Sequence, residues 1–266
     1  MDRNDCAYLI NTTPKYFYLL NLHITLLHRY APSLAWPIYL ATESSEVSPL
    51  PKVTILTLPK HKAGFFESRE AAVAMLPPHI KYVFPIQEDF LLEGRPMEKE
   101  IAEALQILDT DPEVMSLRLM PCPGPNALDI LYKPMGSLPF GPWKILDFDV
   151  EMVFTYQATV WRREAYQTFM KSLLHKTSHL DEKQKIVAAI KVNIAEIAEG
   201  QMLLRNCLTE KKHLAYPRLY PHPNAVYLCP WPYRPTAVVR GTLEQWASDL
   251  AERECVSLKG NPNQSF

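Results

Sequence analysis

Glycine is scarce in this chain, at 8 of 266 residues. Neither GxGxxG nor GxxxxGK[ST] occurs anywhere in the sequence. Both motifs cradle phosphate groups with closely approaching backbone amides, which only glycine permits. A nucleotide, if this chain binds one, is therefore not held by a glycine-rich phosphate loop.

Cysteine is also sparse and poorly spaced for structural chemistry. The five cysteines are scattered and none forms a CxxC pair; they are Cys6, Cys122, Cys207, Cys229 and Cys255. An odd, scattered set argues against a disulfide framework and against a zinc ribbon. We therefore expect a reducing compartment and a cytoplasmic protein.

The sequence also has no excess of positive or negative charge and no long apolar run. The formal net charge is −1, whereas general binding to nucleic acid or to an anionic membrane needs a basic surplus. The most apolar stretch, 16–27, is interrupted by Asn21 and His23 and is too short to cross a bilayer. No secretory signal is visible at the amino terminus. We expect no nucleic-acid partner and no integral membrane segment.

Hydrophobic residues make up 47% of the chain, enough for a sizeable core. Their spacing predicts an alternation of strands and helices. The predicted strands are 7–11, 37–41, 53–58, 81–86, 115–119 and 154–161. The predicted helices are 15–30, 68–76 with Ser68 as N-cap, 97–108, 163–174, 182–191, 194–207 and 241–254. This order is typical of an α/β domain with a mostly parallel central sheet flanked by helices, here one domain over 1–266.

Polar residues follow several of these strands. Thr12, Thr13 and the triplet Gln87-Glu88-Asp89 fall at carboxyl ends of strands, where parallel sheets bind their ligands. Carboxylates at the end of a buried strand suit a hard divalent cation, which in turn neutralises a diphosphate. The alternative is a strand that simply ends in solvent.

Three stretches resemble GT-A-fold glycosyltransferases, in particular bacterial and viral enzymes of the polysaccharide type. They are YFYLLNLHITLLHRYAPSLAWPIYLATE from Tyr16, GFFESREAAVAMLPPHIKYVFPIQEDFLL from Gly64 and FTYQATVWRREAYQTFM from Phe154. The first stretch resembles an early helix followed by a strand that ends in Thr-Glu. The second resembles a helix and a strand that ends in the counterpart of the DxD motif. The third resembles a strand with an aliphatic-Trp pair, followed by Arg and a helix. Together they lie within 7–207.

The resemblance implies a GT-A-like, Rossmann-type domain and a set of donor-binding residues. Gln87 stands where a DxD motif begins with Asp, so Asp89 is the expected ligand of Mg²⁺ or Mn²⁺, with Glu88 beside it. Thr12 and Thr13 would lie against the base or ribose, and Arg69 near the base or diphosphate. The alternatives are an ordinary strand-end turn for the threonines and an exposed helical charge for Arg69.

Trp161 is expected to stack on a sugar, and Arg162 or Arg163 to reach a phosphate. The alternative is a core tryptophan followed by two solvated arginines. Late in the chain, His213 or His222 can serve as an additional metal ligand. Trp231 and Tyr233 lie in a proline-rich stretch and are candidate sugar contacts. The alternative is that this stretch packs over the hydrophobic core.

An inverting glycosyltransferase needs a carboxylate that deprotonates the acceptor hydroxyl. The resemblance places it near the start of a helix after the tryptophan strand, in NIAEIAEGQMLLRN, where Glu196 and Glu199 are the candidates. Glu196 follows Asn193 by three residues and can instead complete a capping box. Asp181 and Glu182 remain alternatives.

The sequence therefore predicts a nucleotide-sugar-dependent transferase acting on a glycan or polysaccharide acceptor. About 1–120 would bind the donor and about 121–266 the acceptor. Two rivals stay open: a nucleotidyltransferase of similar topology, and a non-catalytic glycan-binding or scaffold protein of the same fold. Oligomeric state, donor sugar, base and linkage are not encoded in any motif found.

Overall fold

A nine-stranded sheet organises the molecule. The computed structural model describes residues 3–62, 64–120, 132–133, 142–146, 156–181, 183–184, 211–216, 220–221, 227–234 and 236–258. The strands are β1 Cys6–Asn11, β2 Ile38–Thr42, β3 Val53–Thr57, β4 Tyr82–Ile86, β5 Leu91–Leu92, β6 Val114–Arg118, β7 Tyr132–Lys133, β8 Lys144–Leu146, β9 Thr159–Arg162, β10 Lys212–Ala215, β11 Tyr220–Pro221, β12 Tyr227–Leu228, β13 Tyr233–Arg234, β14 Val238–Val239 and β15 Thr242–Leu243. The helices are α1 Phe17–Tyr30, α2 Phe65–Met75, α3 Glu98–Thr110, α4 Arg163–Lys176 and α5 Gln245–Arg253.

The strand order of the main sheet is β3-β2-β1-β4-β9-β6-β10-β8-β7. The strands β3, β2, β1 and β4 are parallel to one another, and β6 is parallel to β10. In contrast, β9 is antiparallel to both of its neighbours, β4 and β6. The fold is thus an α/β fold with a mostly parallel sheet, as the sequence predicts.

Helices cover both faces of the sheet, and each face has its own hydrophobic core. One core gathers apolar side chains of α1, α3 and α5, and the other those of α2 and α4. Side chains alternate between the faces along β4: Tyr82 and Phe84 join the α1 core, whereas Val83 joins the α2 core. A near-continuous apolar strand such as β4 is what burial on both faces requires.

Three predicted boundaries are wrong in an informative way. Helix α2 begins at Phe65 after Gly64, not after Ser68, and the Ser68 hydroxyl donates within the helix to the carbonyl oxygen of Phe65 (3.2 Å). The aromatic pair Phe65 and Phe66 packs edge to face, so helix packing overrides the capping preference of serine. Strand β9 is shorter than 154–161, and α5 starts later than 241 because a hairpin, β14–β15, uses the preceding residues.

A late segment of the chain returns to the centre of the fold. Strand β13 pairs antiparallel with β5, so that Tyr233 lies opposite Leu92 and Arg234 opposite Leu91. Among the described residues, no helix is long and apolar enough to cross a membrane.

Candidate functional site

A crevice opens where the chain reverses its winding direction. The connection from β1 to β2 runs through α1 on one face, and that from β3 to β4 runs through α2 on the other. Strands β1 and β4 are neighbours, so their carboxyl ends flank a topological switch point. Open α/β sheets bind ligands at such points, because the two diverging connections leave a gap there.

The first part of the site is a pair of carboxylates at the end of β4. Glu88 is 7% exposed and accepts a hydrogen bond from the Thr12 hydroxyl at the end of β1 (3.2 Å). Asp89 is half-buried in the turn that follows, where the amide of Phe90 donates to the carbonyl oxygen of Gln87 (3.1 Å). The predicted strand-end motif is therefore the rim of the crevice and not a solvated loop.

Burial makes these carboxylates unusually weak acids. It raises the pKa of Glu88 to about 8, with a further contribution from the negative charge of Asp89. Burial also raises the pKa of Asp89 to about 6, while the backbone of Asp89 and of Val238 acts in the opposite direction. Within the described part of the chain, neither carboxylate lies within ion-pair distance of a lysine, arginine or histidine. The charge of Arg69 acts on the pKa of Glu88 in the direction opposite to burial, although the two side chains form no ion pair.

The second part of the site is a buried arginine on the opposite, α2 side of the sheet. Arg69 is 9% exposed, and one of its guanidinium nitrogens donates to the carbonyl oxygen of Phe65 (3.0 Å). Its guanidinium carbon lies 3.6 Å from the centroid of the Phe65 ring and 5.3 Å from that of Tyr156. No described carboxylate lies within ion-pair distance of it. Aromatic stacking fixes the guanidinium plane but supplies no carboxylate partner.

A small cavity of about 20 Å³ lies beside Arg69. Its polar lining comes mainly from Asn11, Gln87 and Gln157, and its aromatic lining from Tyr156, Trp161 and Tyr166. One water molecule needs roughly 10–15 Å³ measured in this way. Binding of anything larger requires the lining side chains to move apart.

The structure brings most of the predicted donor residues to this crevice. Thr12 contacts Glu88 directly, and Arg69 and Trp161 line the cavity. Thr13 is exposed just beyond the end of β1 and caps no helix through its side chain. Glu196, Glu199, Glu182 and His222 lie outside the described residues.

Trp161 is chiefly a core residue that also forms a cavity wall. It is 4% exposed, and its ring stacks nearly parallel on Phe169, with centroids 6.1 Å apart and an interplanar angle of 9°. The rings of Tyr166 and His213 lie at 5.9 and 5.5 Å. Only the part of the indole that faces the cavity is available to a ligand.

Arg162 and Arg163 have neither of the roles that the sequence suggested. Arg162 donates to the carbonyl oxygens of Val114 (2.6 Å), Asp111 (2.8 Å) and Leu108 at the end of α3. Arg163 donates to those of Pro77 (2.6 Å) and Leu76 (2.8 Å) after α2. Each arginine therefore satisfies carbonyl groups that a helix end leaves unpaired, and both side chains are half-buried and away from the crevice.

His213, Trp231 and Tyr233, which the sequence suggested as site residues, do not reach the crevice either. His213 lies in β10, three strands from β4, or roughly 14 Å at the usual strand spacing, so it cannot share a cation with Asp89. Its Nδ1 is 2.6 Å from the Ser116 hydroxyl, and burial lowers its pKa to about 3. Trp231 and Tyr233 are 2% and 0% exposed, which excludes them as sugar contacts on the surface.

Sequence reasoning missed several residues of the crevice. Asn11 donates from its side-chain nitrogen to the carbonyl oxygen of Ser68 (3.2 Å), which joins β1 to α2. Tyr18 lies close enough to Asp89 and Glu88 for their charges to raise its pKa, after burial. His23 is buried, and burial lowers its pKa to about 4, while the backbone of Glu88 acts in the opposite direction. Only Asn11, as the polar last residue of a strand, carried a signal in the sequence.

The carboxylate pair fits a cation held partly by a substrate. No cluster of three or more acidic, histidine or cysteine side chains suited to a metal exists in the described ranges. Mg²⁺ and Mn²⁺ complexes with nucleotides need only one or two protein carboxylates, since phosphate and water complete the coordination shell. One buried and one half-buried carboxyl group, neither in an ion pair with a described residue, match that requirement.

No protein-family profile matches the sequence, and no curated protein matches it. Several solved structures share part of the fold. A fragment of S. aureus TarS in complex with UDP is 11% identical, with a TM-score of 0.47 over 80% of this chain and 58% of the fragment. The same fragment in another crystal structure gives 11% identity and a TM-score of 0.43, with 80% and 58% covered.

A longer TarS structure gives 11% identity and a TM-score of 0.44, with 79% of this chain and 35% of that chain covered. The present chain thus spans less than two thirds of each of these neighbours. At such scores and identities, the likeness carries no argument about activity.

Proposed function

We propose that this chain is a glycosyltransferase that moves a sugar from a nucleotide-sugar donor to a glycan acceptor at the crevice between β1 and β4. The observation that supports the proposal most is a buried arginine and a carboxyl pair, neither of which forms an ion pair with any described residue. Arg69 lies in α2, and Glu88 and Asp89 follow the end of β4. A diphosphate that carries a divalent cation would neutralise both.

The residues divide into two donor-binding groups. Arg69 would bind a phosphate oxygen through its fork of donors, with Asn11 and Gln87 completing the polar wall. Asp89, with Glu88, would hold Mg²⁺ or Mn²⁺, which when bound supplies positive charge to the leaving diphosphate. Thr12 and Thr13 would lie beside the base or ribose, and Trp161 would contact the donor through its exposed edge.

Sugar transfer also requires a base that removes the proton of the acceptor hydroxyl. We place this role on Glu196 or Glu199, on the strength of the sequence resemblance. The acceptor oxygen attacks the anomeric carbon, the bond from that carbon to the diphosphate oxygen breaks, and the acceptor proton passes to the carboxylate. A single displacement of this kind inverts the anomeric configuration.

Thermal-shift titration with nucleoside diphosphates, with and without Mn²⁺, tests the donor site. We expect one nucleoside diphosphate to raise the melting temperature in the presence of Mn²⁺, and Arg69→Met to weaken its binding at least about tenfold, because charge-assisted hydrogen bonds are lost. Arg253→Met is the matched control, since Arg253 is exposed at the end of α5, away from the crevice. Equal binding by wild type and Arg69→Met would contradict the proposed role of Arg69.

A further inference from the structure

The acidic turn is held by a segment that follows it by about 140 residues. The amide of Ala237 donates to the carbonyl oxygen of Asp89 (2.8 Å). The backbone of Val238 lies near enough to the Asp89 carboxyl to act on its pKa, in the direction opposite to burial. The orientation of that carboxylate therefore depends on where the backbone of 237–238 lies.

The described residues of this late segment, 230–234 and 236–238, are fastened along the chain that follows the turn. The amides of Glu93 and Met97 donate to the carbonyl oxygens of Pro232 (3.2 Å) and Pro230 (3.0 Å). Between these contacts, β13 pairs with β5, and the ring of Tyr233 stacks on that of Phe90 with centroids 5.2 Å apart. We call residues 230–234 and 236–238 the strap.

One charged side chain anchors the strap next to its contact with Asp89. Arg234 donates to the Glu93 carboxylate (2.9 Å), and the two side chains are only 15% and 5% exposed. Its guanidinium carbon lies 4.6 Å from the centroid of the Trp246 ring in α5. Arg234 thus ties the strap both to the chain after the acidic turn and to a helix.

Between Arg234 and the amides of Ala237 and Val238, the backbone adopts an unfavourable conformation. Thr236 has a φ of 56°, in the left-handed region that β-branched residues avoid. Such a conformation persists only where the surroundings impose it, and it often accompanies a site whose geometry matters. Here Arg234 holds one side of Thr236, and the Asp89 contacts hold the other.

We infer that Arg234 is a positioning residue that sets the geometry of Asp89 through the strap. This inference rests on the proposed function, because it assigns the orientation of Asp89 to cation and donor binding. Loss of the Arg234 side chain would free the Ala237 and Val238 amides, and the Asp89 carboxylate would then sample several orientations.

Amide hydrogen exchange of peptides that cover 87–92 tests the inference without any ligand. The variant is Arg234→Met, and the control is Arg3→Met, which removes an ion pair with the more exposed Asp109, beside Tyr82 at the start of β4 and away from the acidic turn. We expect exchange in 87–92 to accelerate at least about tenfold in Arg234→Met and to stay unchanged in Arg3→Met, because only the former releases the turn locally. If Arg234→Met fails to fold, Arg234→Lys gives a smaller acceleration in the same peptides. Unchanged exchange in 87–92 would overturn the inference.

A second readout separates this inference from the proposed function. In wild type, we measure the Mn²⁺ concentration that gives half of the nucleotide-induced thermal shift. Supporting groups around a metal ligand typically change affinity 10–100-fold, so Arg234→Met should raise that concentration at least about tenfold and Arg3→Met should not. If the concentration is the same in all three proteins, the positioning role is wrong. If wild type gives no shift with any nucleotide, the proposed function fails, and hydrogen exchange alone decides the structural role of Arg234.

Discussion

Glu88 offers a sharp test of the electrostatics at the end of β4. Its carboxyl is almost fully buried, its one described side-chain hydrogen bond comes from Thr12, and its pKa is raised to about 8 from an ordinary value of 4.5. The substitution Glu88→Gln keeps the shape and one acceptor oxygen but removes the ionisable proton.

The sign of the effect follows from where the proton is bound. Below pH 4.5, folded and unfolded chains both carry it, and the group does not affect stability. Between pH 4.5 and about 8, the unfolded chain releases the proton while the folded chain keeps it. The free energy of unfolding of wild type therefore falls by up to about 1.4 kcal/mol per pH unit over this range. By pH 7, Glu88→Gln should be the more stable protein by roughly 3 kcal/mol.

Urea unfolding in EDTA at pH 5, 6, 7 and 8 measures this difference. The control is Glu46→Gln, because Glu46 is exposed in the loop after β2. The stability of Glu88→Gln relative to wild type should grow with pH, whereas that of Glu46→Gln should not. Parallel curves for wild type and Glu88→Gln would refute the reasoning, since they would mean that Glu88 ionises as freely in the folded chain as in the unfolded one.

Three further predictions follow from single residues. Asp89→Asn should abolish the Mn²⁺ dependence of nucleotide-induced thermal shifts; an undiminished dependence would exclude Asp89 as the ligand. Thr236→Gly should stabilise the protein by up to about 1 kcal/mol in urea unfolding, because relief of the left-handed conformation exceeds the added entropy of the unfolded chain. The pKa of His213 is lowered to about 3, so the folded chain keeps this histidine neutral while the unfolded chain binds a proton below pH 6.5. The free energy of unfolding should therefore fall as pH drops from 6.5 towards 3, and His213→Gln should reduce that fall. The same fall in His213→Gln as in wild type would contradict the lowered pKa of His213.

Local patterns predicted the fold well where the signal lies within one element. The apolar strands β1, β2, β3 and β4, and the helical spacing of α1 and α3, appear within a few residues of their predicted bounds. The placement of Gln87-Glu88-Asp89 followed from the same logic, because a polar triplet after a buried strand of a parallel sheet must reach the ligand-binding edge.

Features that depend on distant partners were not predictable. Nothing in 229–238 shows that it pairs with β5, since the contacting residues are far apart in sequence and rich in proline. The insertion of β9 between β4 and β6 is likewise decided by packing. Arg162 and Arg163 resemble phosphate-binding residues in sequence, yet they bind carbonyl groups at helix ends that only the tertiary structure brings near them.

The predicted start of α2 was wrong because two local preferences, N-capping by serine and helix packing by aromatic residues, compete there. Ser68 is a favoured N-cap, but the helix extends back to Phe65, whose ring packs on Phe66 and under Arg69. That shift moves Arg69 from the first helical turn into the second and buries its guanidinium. The resemblance therefore singled out Arg69, but its burial and its lack of an ion pair with any described residue could not be predicted from the sequence.

Donor hydrolysis is the most direct test of the central claim. Purified protein is incubated with a panel of nucleotide sugars, with and without Mn²⁺, and nucleoside diphosphate and free sugar are quantified. The account predicts that at least one donor yields equal amounts of both products in the presence of Mn²⁺, and that Arg69→Met and Asp89→Asn each reduce the rate at least about tenfold while Arg253→Met does not. Absence of nucleoside diphosphate from every donor, or release that persists in both site variants, would contradict it.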